Sequence, residues 1–287
     1  MMSFMPFIYL LVGFCVGKTR LNLKVIASQI LTKLVIPLVI IWNISLHLEQ
    51  MVWVIVLTFV ITLILFFGQQ RFGKDAVRSL CFCYLNIGWL GLPIAHTLFG
   101  EEAARFVLAV YIGSSIFGNS IGANFLSKTG RSYTTIFRSP PVVALVVGCL
   151  LIPFNHWVES YAGSIYQVSK FLMSFLGMMV LGIWLSETTL KRCDALTYTK
   201  TYLFRILILG VALLIVMVTY LQFDAHIMSE QMLWLFLICL LPPAANIIVL
   251  ETSYLGTGTS AARISIETVA SLFAIAVYGV VLHYLPN

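Results

Sequence analysis

The sequence predicts an all-α membrane protein of ten transmembrane helices, on three observations: a very apolar composition, ten apolar runs, and charges that alternate between the connections. Of 287 residues, 60% are hydrophobic and only 10% are charged, against roughly 25% charged in an ordinary soluble domain. No water-soluble core could hide that much apolar surface, so much of it must face lipid.

Taken in order, the runs are 4–17, 26–46, 51–68, 76–98, 104–126, 140–154, 164–186, 202–222, 231–254 and 264–284. The first has neither a basic leading segment nor a small-residue cleavage site before Lys18 and Arg20, so it reads as a spanning helix and not as a signal peptide. Glu49 parts the second from the third, and Glu101, Glu102 and Arg105 part the fourth from the fifth. The polar stretch 128–139 divides a first half, 1–127, from a second, 140–287. None of the connections is long or polar enough to be a soluble domain.

The connection charges set the orientation. Odd-numbered connections carry Lys18, Arg20 and Lys24; Arg71, Lys74 and Arg78; Lys128, Arg131 and Arg138; Lys191, Arg192, Lys200 and Arg205; and Arg263. Even-numbered ones carry Glu49; Glu101, Glu102 and Arg105; Glu159; and Asp224 and Glu230. The positive-inside rule places the odd side in the cytoplasm and both termini outside. The formal charge of +6 is therefore read as topology, with no nucleic-acid partner. The six cysteines lie mostly in apolar runs, and Cys81 and Cys83 fit no usual metal spacing. No metal, cofactor or structural disulfide is expected.

An even span count with both ends outside allows two halves of five spans, which must then be inverted relative to each other. Three short matches support this: Leu11-Val12-Gly13-Phe14 with Val146-Val147-Gly148-Cys149, Ile41-Trp42 with Ile183-Trp184, and Pro93 with Pro242 and Pro243.

Those prolines carry the functional reading. A proline inside a helix removes a backbone hydrogen bond and costs about 3 kcal/mol. At membrane depth such a break is tolerated only beside protein or a water-filled cavity. Span four reads Asn86-Ile87-Gly88-Trp89-Leu90-Gly91-Leu92-Pro93, and span nine reads Leu241-Pro242-Pro243-Ala244-Ala245-Asn246. Matching interruptions in two halves point to a transporter's binding site. Each half-helix restarting after a break offers free N–H groups and a positive dipole end, which suit an anion. Asn86 and Asn246 could bind a carboxylate without burying a charge of their own. The competing reading is that the prolines only kink helices and the asparagines bond neighbouring helices.

Asn86-x-Gly88-x-x-Gly91-x-Pro93 followed by Leu98-Phe99-Gly100, and Leu241-Pro242-Pro243-Ala244-x-Asn246 ending in Tyr254-Leu255-Gly256, resemble the fourth and ninth spans of the auxin efflux carrier family. The glycine of span one and Pro37 of span two fit as well, and the resemblance covers essentially the whole chain. It implies an NhaA-like fold of two inverted five-helix repeats, with broken helices four and nine crossing at mid-membrane. It also implies elevator-like alternating access and substrates such as auxins or small carboxylates. The short connection near 127–139 is like that of bacterial members, which implies a bacterial inner membrane. A homodimer is compatible with this reading.

Candidates for proton or sodium coupling, or for attracting substrate, are Glu251, Glu267 and Lys170, because ionisable groups near a membrane interior are functional by default. Glu251 stands where the family pattern leads us to expect a small apolar residue. Arg263 and Glu267, four apart, could equally form an ion pair. The family pattern implies a place for Lys33 near the cytoplasmic mouth of span two, where snorkelling explains it without a ligand, and His96 reads as a bystander. Tyr111, Asn119 and Asn124 could line a cavity or join helices. An intramembrane enzyme finds no support: there is no His-Glu-x-x-His or Gly-x-Ser-x-Gly motif, and the three aspartates, Asp75, Asp194 and Asp224, all lie near loops. A sodium-coupled symporter of the bile-acid type and a channel are the other rivals to a small-anion carrier.

Overall fold

The computed structural model describes residues 5–19, 23–73, 75–127, 139–187, 192–221 and 229–284. Of the features used above, Arg20, Lys74, Arg131, Arg138, Lys128, Lys191 and Asp224, and the connection 128–139 apart from Ser139, lie outside the described residues.

Backbone amides in apolar surroundings must be satisfied within the chain, and helices do this locally. Among the described residues every regular element is accordingly helical. Helix α1 (Met5–Gly17) is followed by α2 (Leu23–Ile30), a π-helical turn (Leu31–Val35) and α3 (Ile36–Gly73), which is kinked at His47 (φ −135°, ψ 22°). Then come α4 (Ala76–Cys83), a second π turn (Ile87–Gly91), α5 (Leu92–Phe99), α6 (Glu101–Phe117), a third π turn (Gly118–Gly122) and the short α7 (Ala123–Leu126). The second half holds α8 (Pro140–Leu151), α9 (Asn155–Glu187), α10 (Arg192–Leu221), α11 (Ser229–Leu240), α12 (Asn246–Leu255) and α13 (Ser260–Tyr284).

Five runs are long and apolar enough to cross a membrane: Val25–Gly73, Glu101–Leu126, Pro140–Ser186, Ala195–Ile215 and Ser260–Tyr284. Their outer faces expose large apolar side chains such as Trp53 (77%), Leu207 and Phe273 (74%), the surface of a multi-pass membrane protein. Helix α9 starts earlier than the run 164–186 predicts. The polar residues of 155–160 lower the hydropathy there without breaking the helix, and Trp157 stacks on Tyr161 at 5.4 Å in this added length.

Helix α1 packs along α9 at very short range. A Cβ on Gly13 would run into the carbonyl of Met179, and one on Gly182 into that of Leu10; small residues allow this approach of backbones. The larger buried cluster joins α3, α5, α6 and α9, and a smaller one surrounds α4 and α12.

One assignment needs correction. Arg205, counted above with the basic connections, is completely buried within α10. Its place near the start of a predicted span gave it the look of an interfacial cation, but it points inward.

Candidate functional site

Both spans are interrupted, and the two gaps touch, but in span four the gap falls at Tyr84–Asn86, ahead of Pro93, which the helix passes through without a break. Helix α4 stops at Cys83 because Tyr84 is extended (φ −99°, ψ 98°), and the chain resumes as a helix only at Ile87, with Pro93 in the first turn of α5. Helix α11 stops at Leu240 and α12 starts at Asn246. The two gaps run antiparallel. The Asn86 N–H donates to the Pro242 carbonyl at 2.8 Å, the Ala244 N–H donates to the Tyr84 carbonyl at 2.9 Å, and Leu85 faces Pro243 between them. Each break thus supplies backbone partners that the other lost.

A cavity of about 200 Å³ adjoins this contact. All three π turns border it: Thr32 and Lys33 from the first, Gly88 and Trp89 from the second, and Asn119 from the third. Such turns widen a helix by one residue and frequently occur at functional sites. Tyr84 and Tyr111 supply aromatic wall, Pro140 and Pro141 at the start of α8 close one side, and Asn86 and Asn246 sit at the restart points.

A polar network backs the cavity. Asn246 Nδ2 donates to Asn119 Oδ1 at 3.1 Å, and Asn119 Nδ2 donates to the Ser115 carbonyl at 2.9 Å and to its hydroxyl at 3.1 Å. The Tyr84 hydroxyl faces Asn246, Ser115 and Asn119. Asn86 differs: it is 4% exposed, and its Nδ2 has no hydrogen-bond partner among the described residues. A buried donor without an acceptor costs about 1–3 kcal/mol, and this one borders the cavity.

Of the predicted site residues, Asn86, Gly88 and Asn246 line the cavity together. Gly91 lies behind it, where a Cβ would meet Leu241 Cδ1 at 2.8 Å. Pro93 is buried in α5, while Pro242 and Pro243 form the backbone contact. The three charged candidates lie elsewhere. Glu251 is fully buried and accepts from the Thr259 and Ser260 N–H groups at 2.8 and 2.9 Å, and from the hydroxyls of Thr257, Thr259 and Ser260. Glu267, also fully buried, pairs with Arg263 at 2.6 Å and Arg205 at 3.0 Å. Lys170 pairs with Glu101, which His96 also approaches at 3.3 Å. Tyr111 and Asn119 line the cavity, and Asn124 is not among its lining residues.

Sequence reasoning missed Lys33. Snorkelling explained it, yet it is a cavity-lining cation that is also exposed. Its signal was a charge inside an apolar run; nothing local marked the π turn that carries it. Thr32, Tyr84 and Ser115 gave no signal at all. No family model matches this chain, and no curated protein does.

Proposed function

We propose that this chain is a secondary carrier of small organic anions that crosses the membrane ten times as two inverted five-helix repeats, with the paired breaks at mid-membrane. The observation that carries this reading is the unpartnered, buried Asn86 Nδ2 beside a cavity where two helices restart. An orphan donor wants an acceptor, the restarting helices present positive dipole ends, and Lys33 adds a full positive charge to the lining. All three favour an anion. The size favours a small one, because about 200 Å³ lies below the ~300–1,000 Å³ of sites for drug-sized ligands. That weighs against a bile-acid-type steroid cargo.

The motif resemblance to auxin efflux carriers agrees with this chemistry and adds elevator-like alternating access. With odd connections in the cytoplasm, the side of the cavity bounded by Pro140 and Pro141 is the one nearer the cytoplasm of a bacterial cell. Glu251 and Glu267 are both committed to internal partners, which supports structural parts for them over ion coupling.

Thermal unfolding of the detergent-purified protein with acetate, succinate, benzoate or indole-3-acetate tests the site. At least one should raise the melting temperature by mass action. Asn86→Ala and Asn246→Ala should each weaken that ligand about 10–100-fold, the worth of a hydrogen bond to a charged group, and abolish uptake into vesicles. Undiminished uptake by both variants would refute the assignment, and sodium-dependent uptake of a steroid conjugate would favour the bile-acid type.

A further inference from the structure

Each broken helix has a carbonyl end as well as an N–H end. The C-terminal carbonyls of α4 and α11 form the negative poles of the crossing and have no partner within their own helices. Both ends are held from α10. Arg205 Nη1 donates to the Cys81 carbonyl at 3.1 Å, and Nη2 donates to the Leu241 carbonyl at 2.6 Å. One flat guanidinium therefore closes two helices from opposite halves of the chain. Helix α13 braces it through Glu267, whose other oxygen takes Arg263. The adjoining Leu240 carbonyl accepts from Tyr202 on α10 at 2.7 Å and from Ser271 on α13 at 2.6 Å.

The opposite poles of the same crossing are the cavity's binding elements. From Cys81 to Asn86 is five residues, and from Leu241 to Asn246 is five more. Tyr84–Leu85 and Pro242–Pro243 lie outside any helical ladder and are tied to each other by two backbone bonds, so the grip on the carbonyl ends, together with those bonds, sets where the asparagines stand. We propose that Arg205 is a positioning residue for the anion site: by gripping both carbonyl ends, it fixes the gap between Asn86 and Asn246. This rests on the anion-carrier reading. A guanidinium suits the task because its rigid fork holds several donors in fixed directions; an ammonium is a point charge that cannot keep two carbonyls in register.

The alternative role is stabilisation alone. It is separated by measuring, on full-length purified protein, both the melting temperature and the calorimetric Kd for acetate, succinate, benzoate and indole-3-acetate. The variants are Arg205→Lys and Arg205→Met, in both of which Glu267 keeps Arg263 as its partner. Both should weaken the bound carboxylate by about tenfold or more, the loss expected when a donor is misplaced around a charged ligand. Arg263→Gln, which touches neither carbonyl and leaves Glu267 its Arg205 partner, should lower the melting temperature because a buried pair is broken but leave Kd within about threefold. Arg205 variants that melt earlier but bind with unchanged Kd would overturn the proposal. If they do not fold, Tyr202→Phe with Ser271→Ala frees the Leu240 carbonyl more gently. It should weaken binding about threefold or more, and an unchanged Kd there overturns the proposal equally. A wild type that binds none of the four anions defeats the carrier reading itself, whatever Arg205 does.

Discussion

At the scale of residues, the cavity is shaped by glycines that make room for tyrosines. A Cβ on Gly88 would lie 2.6 Å from Tyr111 Cε2, and one on Gly118 would lie 2.5 Å from Tyr84 Cε1. Both rings border the cavity, so they stand back only because the glycines let them. Gly88→Ala should therefore push the Tyr111 ring into the cavity. Overpacking of this kind costs about 1–3 kcal/mol of stability, and anion affinity should fall with it. Melting temperature and calorimetric Kd check this, and Tyr111→Val in the same chain should restore stability. An alanine variant that binds as tightly as the wild type would mean that Tyr111 yields in another direction. Sequence reasoning singled out Gly88 as a point where the helix is weakened. The structure adds the approach of a ring from a residue twenty-three positions away, which no local pattern encodes.

Among elements, the clearest case is the joint between α12 and α13. Helix α12 ends on Gly256 in the left-handed region (φ 69°), and the chain turns back so that the Glu251 carboxylate meets the first N–H groups of α13. A negative charge at a helix N-terminus is favourable, and here it is also hydrogen-bonded by three hydroxyls. Glu251→Ala should lower unfolding stability by about 1.5–3 kcal/mol, the range for hydrogen bonds to a charged group, and leave the affinity of correctly folded protein unchanged. Denaturant titration beside calorimetry separates the two; a selective loss of affinity would return Glu251 to the coupling candidates. This joint also shows what was legible. The helical, apolar character of the chain and the gap at Pro242–Pro243 could be read, because apolar runs and proline act through local backbone sterics and hydropathy; the gap at Tyr84–Asn86 falls ahead of Pro93, where no proline marks it. The three π turns could not be read, since inserting one residue into a turn leaves no compositional mark. Arg205 was invisible for a different reason. Its carbonyl partners lie 124 and 36 positions away, and a basic residue at a span's end looks like any interfacial cation.

Considered whole, the molecule has its larger cavity beside the contact of the two gaps and a tightly paired polar cluster farther along α5. His96 stands eight residues beyond Gly88, about 12 Å farther along at 1.5 Å per residue. There Lys170 of α9 pairs with Glu101 at the start of α6, His96 joins them, and Arg105 donates to Gln50 at 3.2 Å. Trp42 stacks on Tyr166 at 4.8 Å nearby. The remaining void at this end, about 20 Å³, has room for roughly one water and none for an organic anion. The pair ties α6, which carries Ser115 of the cavity network, to α9, which is packed backbone to backbone on α1. If the chain is the alternating carrier proposed above and its solute leaves at this end, the Lys170–Glu101 contact has to open once per cycle. Bridging Glu101→Cys to Lys170→Cys with a short bis-maleimide should therefore arrest transport while leaving the cavity accessible. The background should first lose the exposed Cys15 and Cys149, which would otherwise react. Calorimetry should then report an unchanged Kd for the bridged protein, whereas uptake into vesicles falls to background; each single cysteine variant, labelled the same way, keeps its uptake. Continued turnover in the bridged protein would show that solute leaves by a route that does not part α6 from α9, and the polar cluster would then be scaffold and not a gate.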